Sequence, residues 1–174
     1  YGARVSAAGA VVDTVWFAVS AAADEQGFPS VASDGSQFFV VWQDQRNGSH
    51  YDIYGARVTA QGAVLEPTGL AVSTAESNQE WPSVAWGGSQ YLVVWQDLRN
   101  GNHDIYGARV SPAGVVDSPS GTVLAASGQQ ELNPKLASAG DDDFLLTYER
   151  FAIEAPFGAV RTRSRLVTFG ADDG

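Results

Sequence analysis

Two polar segments hold most of the side chains in this sequence that could do chemistry. They read QDQRNGSHYD from Gln43 to Asp52 and QDLRNGNHD from Gln96 to Asp104. Each brings a guanidinium, a carboxamide, an imidazole and two carboxylates together within a few residues, a set able to hydrogen-bond a polar ligand or to move a proton. The residues so nominated are Arg46, Asn47, His50, Asp52, Arg99, Asn100, His103 and Asp104. A third stretch, STAESNQEW, adds Asn78, Glu80 and Trp81, whose indole could stack on a sugar ring or plug a gap between sheets.

These residues also have plain structural uses. Asn-Gly at 47–48 and 100–101 is a strong hairpin signal because both residues tolerate positive φ. Asp44 and Asp97 are placed to pair with Arg46 and Arg99, or with Arg57 and Arg109 of the following strand. His50 and His103 read as equivalent positions one repeat apart, too distant to share a zinc ion and without an HxH or HxxxH partner. The acidic runs Asp141–Asp143 and Asp172–Asp173 lack the alternating oxygen ligands and closing Glu of a calcium loop. No metal and no cofactor is therefore expected. No Ser sits in a nucleophile motif with a base and an orienting group. Ser30, Ala32, Ser83 and Ala85, the expected innermost positions, supply none of the paired carboxylates that glycoside hydrolysis uses.

The elements that must position these groups are repeats. YGARVSAAGAVV at Tyr1, YGARVTAQGAVL at Tyr54 and YGARVSPAGVVD at Tyr106 recur at a period of about 52 residues, the mark of a supersecondary unit stacked on its neighbours. FGAVRTR at Phe157 is a worn fourth copy. Within a repeat the segments are short, rich in β-formers and free of helical period. The second repeat predicts strands over Pro82–Trp86, Gln90–Gln96 and Asp104–Val110, with Ala63–Leu65, running on toward Val72, as a fourth strand that precedes them. QYLVVWQ places Tyr91, Val93 and Trp95 on one face and Leu92 and Val94 on the other, so both faces are apolar. In an all-β chain such a strand lies in a sheet covered by sheets on both sides. Four-stranded sheets stacked about an axis are the blades of a β-propeller. The chain reads as a single propeller segment of about three blades, with repeats at approximately 1–53, 54–105 and 106–157 and a partial one at 158–174. The short GGS and SPAG turns share one edge, and the long polar connections with the nominated residues share the other.

LVVWQDLRNGNHDIYGARVSPAG resembles the TolB-like (WD-like) β-propeller repeat through Asp97, Arg99, Gly101, Asn102, Asp104, Ile105 and Tyr106. The earlier copy matches through Asp44, Arg46, Gly48, Asp52, Ile53 and Tyr54. The chain is also similar to the YGARV repeat arrays of bacterial surface and secreted proteins. The likeness to those arrays implies a bacterial secreted or cell-surface location. Near-identical repeats favour repeated equivalent contacts over one asymmetric catalytic centre, so the expected function is a non-enzymatic interaction or scaffold module that binds a protein partner or itself. The alternatives are a lectin-like propeller that binds carbohydrate and a fragment of a propeller glycoside hydrolase.

Composition narrows the partners. The 174-residue chain carries a formal charge of −10 and no Cys or Met. Lacking a basic stripe, it is not expected to bind nucleic acid or an anionic lipid surface. No apolar run reaches the roughly 18–20 residues that membrane insertion as a helix requires. The absence of Met suggests that Tyr1 is a processed or internal end. Three blades cannot close a ring, so the expected partner is either the rest of a longer chain or a second copy completing a six-bladed ring. The third repeat is worn, with Tyr148 in place of Trp95, Glu149 in place of Gln96, and Phe151 to Pro156 in place of the Arg-Asn-Gly turn, as befits a terminal or seam repeat.

Overall fold

The computed structural model describes residues 1–152 and 158–168. The worn third turn falls outside them from residue 153 onward, as do Asp172 and Asp173. Eleven antiparallel strands and no helix make up the described residues. β1 (Gln26–Ser33), β2 (Gln37–Asp44), β3 (Asp52–Thr59) and β4 (Leu70–Ser73) form a first sheet in that order. β5 (Gln79–Trp86), β6 (Tyr91–Asp97), β7 (Asp104–Val110) and β8 (Thr122–Ala125) form a second. β9 (Glu131–Gly140), β10 (Asp143–Ala152) and β11 (Ala159–Thr168) form a three-stranded third.

The second sheet is covered on both faces, as the double apolar pattern of β6 requires. Tyr91, Val93 and Trp95 pack with Phe39, Val41, Ile53 and Val72 of the first sheet. Leu92 and Val94 pack with Phe144, Leu146 and Val167 of the third. Polar links join successive innermost strands: Ser30 Oγ accepts the N–H of Val84 (3.2 Å), and Ser83 Oγ accepts that of Leu136 (3.1 Å). On the GGS edge the Asp142 carboxylate accepts the N–H and hydroxyl of Ser89, and Asp142 N–H donates to Gly87 O (2.8 Å). The acidic run at 141–143 thus fastens the third sheet to the second.

One strand assignment differs from the sequence reading. Leu70–Ser73 pairs with β3 and closes the sheet that Gln26 opens, rather than preceding Pro82 in the next one. Ala63–Leu65 is not a strand; Val64 makes only an isolated bridge to Val58. The cause lies in the motif itself. Arg57 donates through its backbone N–H (2.8 Å) and its guanidinium to Glu66, which folds the chain straight back onto β3. Arg4 with Asp13 repeats the arrangement, and the Arg109 guanidinium pairs with Asp117 in the same place. Within YGARV the glycine is demanded by space, since a Cβ on Gly107 would lie 2.8 Å from Leu124 and 3.1 Å from Val93 O.

Residues 1–19 are the outer part of another such unit. Gly2 bridges Phe17 and Val5 bridges Val11, at the positions where Gly55 meets Leu70 and Val58 meets Val64. Val19 and Phe17 pack with Trp42, Ala56 and Val58 on the face of the first sheet turned away from the second.

The β1–β2 turn is sensitive to acid. Asp34 Oδ1 accepts the N–H of Ser36 (2.8 Å), its hydroxyl (2.8 Å) and the N–H of Gln37 (2.9 Å). Burial pushes its pKa up, but these hydrogen bonds outweigh burial and hold it at about 2, below the usual 3.8. A carboxylate depressed on folding contributes stability that is present above its unfolded pKa and is lost as pH falls toward the folded one. The expected result is that Asp34→Asn lowers Tm at pH 6 and that the gap between the two chains closes between pH 4 and about 2. Thermal melts across that range check it.

Candidate functional site

The nominated residues divide into two groups. Arg46 and Arg99 are locks. Asp97 is fully buried and accepts the indole N–H of Trp95 (2.9 Å), the backbone N–H of Arg99 (3.0 Å) and the Arg99 Nε (2.8 Å). Arg99 also donates to Ser120 O (2.7 Å) and lies 4.1 Å over the Tyr106 ring. Asp44, Trp42, Arg46, Thr68 and Tyr54 repeat the set. Burial pushes the Asp44 carboxyl up, yet its hydrogen bonds from Arg46 and Trp42 leave it below the ordinary value. Of the two pairings open to these aspartates, the structure contains the one with Arg46 and Arg99.

Asn47 and Asn100 shape their turns. Asn47 donates to Asp52 (2.9 Å) while accepting the N–H groups of Ser49 and His50, and Asn100 donates to Asp104 (3.0 Å) and to the Tyr106 hydroxyl (3.0 Å). Asp52 and Asp104 are buried in these turns. Burial raises the Asp52 pKa. His50 lies beside Asp52, 3.4 Å from Nε2 to Oδ1.

His50 and His103 are not equivalent. His103 accepts the Glu131 N–H on its carbonyl and donates its own N–H to Gln130. In the preceding unit these two bonds are made by Tyr51, with Gln79 N–H and Asn78. The first turn has one extra residue, SHYD against NHD, and the insertion shifts His50 out of register.

The second group converges at the start of β5. Trp81 is in the left-handed region (φ 57°), where a bulge interrupts the pairing between Glu80 and Ser83. Phe28 (φ 53°) and Asn133 (φ 54°) hold the same conformation at the corresponding points. Positive φ in a bulky residue ahead of a proline is strained, at about 1–3 kcal/mol. The neighbouring sheet stabilises it: buried Gln43 accepts the Trp81 N–H (3.2 Å), and buried Gln96 accepts that of Asn133 (3.1 Å). The bulge leaves the Phe28 and Trp81 rings in tilted contact, centroids 4.1 Å apart and planes at 39°, and both rings remain partly exposed.

Polar groups flank this step. Glu80 lies 3.5 Å from His103 Nε2, and Asn78 donates to Glu80 (3.4 Å). His103 Nδ1 is 2.7 Å from Gln130. The Tyr51 hydroxyl donates to Glu25 (3.1 Å), which raises the tyrosine pKa. Asn133 donates to Glu149 (3.1 Å). Asn78, Glu80, Trp81 and His103 are therefore brought together, whereas Arg46, Asn47, His50, Asp52, Arg99, Asn100 and Asp104 serve the turns. Tyr51, Glu25 and Gln130 join the site without having been singled out, and Asn133 holds the equivalent bulge of the third sheet beside Glu149. The recurring Phe28-Pro29, Trp81-Pro82 and Asn133-Pro134 was the sequence signal that could have found the bulge.

Sheets of this topology, packed face to face in series, define the chain as a partial β-propeller. No family model matches the chain, and no curated protein matches it. Solved structures do. An α-L-arabinofuranosidase from Lactobacillus brevis superposes with a TM-score of 0.56 at 15% identity over 86% of this chain and 54% of its own. A thermostable family-43 glycoside hydrolase gives 0.55 at 11% over 87% and 56%. Zg3597, a family 117 glycoside hydrolase of the marine bacterium Zobellia galactanivorans, gives 0.53 at 12% over 83% and 53%. The chain thus spans about half the length of these propeller hydrolases.

Proposed function

We propose that this chain is a sugar-recognising part of a carbohydrate-active propeller, of the glycoside hydrolase kind rather than a pure scaffold. The observation that carries the reading is the strained Phe28–Trp81 step beside Glu80, Asn78 and His103. Backbone strain of this kind clusters at ligand sites, and bulges re-aim side chains beside them. An aromatic face with adjacent carboxylate and carboxamide groups suits a sugar, which offers an apolar ring face and a rim of hydroxyls. The fold neighbours, two of which are an arabinofuranosidase and a family-43 enzyme, support a furanosyl or pyranosyl polysaccharide as the ligand class. Hydrolysis needs two carboxylates facing one bond at about 5–9.5 Å. Glu80 is the member of that pair assigned to this chain. Asp104 is not, because its carboxylate is buried and engaged by Asn100 and Asn102.

Affinity electrophoresis in gels containing arabinan, xylan or agarose tests the reading. Retardation by at least one polysaccharide is expected, with Trp81→Ala weakening it by about tenfold or more, the loss of one aromatic anchor, while Tm changes little. Glu80→Gln is expected to keep binding, because a carboxamide still hydrogen-bonds hydroxyls. Absence of retardation by every polysaccharide would overturn the sugar reading; binding unaffected by Trp81→Ala would move the site elsewhere.

A further inference from the structure

The propeller fragment has one face where half a blade is in place and half is not, and the geometry points to its occupant: a β-hairpin carrying the inner two strands of another repeat of this same sequence type. A groove of 700 Å³ runs between residues 1–5 and the open face of the first blade, floored by Val31, Phe38, Val40 and Val58. Val31 pairs with Val40 and Phe38 with Val58, so these four side chains share one face.

The second blade shows what such a face carries when complete. Val84 and Tyr91, which correspond to Val31 and Phe38, are 6% and 0% exposed, against 58% and 40% for the latter pair. What buries Tyr91 is the middle strand of the preceding blade, with Phe39 and Tyr91 rings 5.2 Å apart. Two polar links come from the same strands, Ser30 Oγ to Val84 N and Gln43 Oε1 to Trp81 N. An occupant with the pattern of β1 and β2 would place a serine at Val31 N and a glutamine at Phe28 N, and an apolar side chain on Phe38.

The occupant is a hairpin and not a whole blade because the outer two positions are already filled. The Gly2–Phe17 and Val5–Val11 bridges and the Arg4–Asp13 pair reproduce the outer half of each intact unit. An incoming four-stranded sheet would collide with them. The groove also continues the blade-to-blade seam already formed between the first and second sheets.

The test places a copy of residues 79–105 directly ahead of Tyr1, so that the copied Ile105 precedes Tyr1 as it precedes Tyr106 in the native chain. The extended chain is expected to gain about 5 °C or more in Tm and to sediment as a monomer. Val31→Asp is expected to lower Tm of the extended chain by about 5 °C or more and that of the original chain by about 1 °C or less, because Val31 is buried only in the former. Leu145→Asp, on the open face of the third blade, serves as the control and should act alike in both. An unchanged Tm on extension, or an equal effect of Val31→Asp in both chains, would overturn the proposal. So would an original chain that sediments as a dimer dissociated by Val31→Asp, since the groove's occupant would then be a second copy.

Discussion

Asp97→Ala is expected to cost about 3–5 kcal/mol of folding stability, a large share of the roughly 5–15 kcal/mol that holds a domain of this size. The carboxylate is fully buried and receives the Trp95 indole, the Arg99 backbone and the Arg99 side chain. Its removal leaves the Trp95 indole N–H, the Arg99 backbone N–H and the Arg99 Nε without their acceptor, with the bond to Ser120 O as the guanidinium's remaining hydrogen bond, and the desolvation already incurred is no longer offset. The turn that it organises also carries His103 against Glu80 and Gln130, so the candidate site should loosen with the fold. Asp117→Ala removes an acid from a pair of similar geometry at the surface, where Asp117 is 47% exposed. Solvent screening reduces that loss to about 1 kcal/mol or less. Urea denaturation followed by tryptophan fluorescence measures both. Similar losses for the two variants would mean that the buried lock carries no special weight.

The contrast explains which parts of the molecule could be read from the sequence. The two faces of β6, the bounds of β7 and the candidacy of Arg99 as one of two partners for Asp97 are local. They follow from alternation, from turn chemistry and from residues two positions apart. The phase of the repeat is not local. A periodic sequence shows its period but not where one sheet ends, and it is the Arg57–Glu66 contact, the Arg46 bond to Thr68 O and the ladder to β3 that place Leu70–Ser73 behind β3. The equivalence of Tyr51 and His103 was hidden by one inserted residue. The strained bulge at Trp81 was least legible, because what sustains it is Gln43, a residue on a strand of the neighbouring blade. Propensity argues against positive φ before proline, and a tertiary hydrogen bond overrides it.

Tyr91 and Phe38 occupy the same place in successive repeats, yet their truncations are expected to differ several-fold. Tyr91→Ala should cost about 3–5 kcal/mol, the range for emptying a packed aromatic site, and Phe38→Ala about 1 kcal/mol. Tyr91 is fully buried between Phe39 and Trp86, with ring centroids at 5.2 and 4.8 Å, whereas Phe38 looks into the groove beside residues 1–5. Near-identical sequence therefore has unequal energetic weight, because a position contributes according to whether a neighbouring blade covers it. Chemical denaturation of both single variants and of the double variant measures this. The two sites line different seams, Tyr91 the one between the first and second blades and Phe38 the groove on the far side of the first, so their effects should add within about 0.5 kcal/mol. A Phe38→Ala loss equal to that of Tyr91→Ala would require the groove face to be covered in solution as completely as the seam between the first two blades.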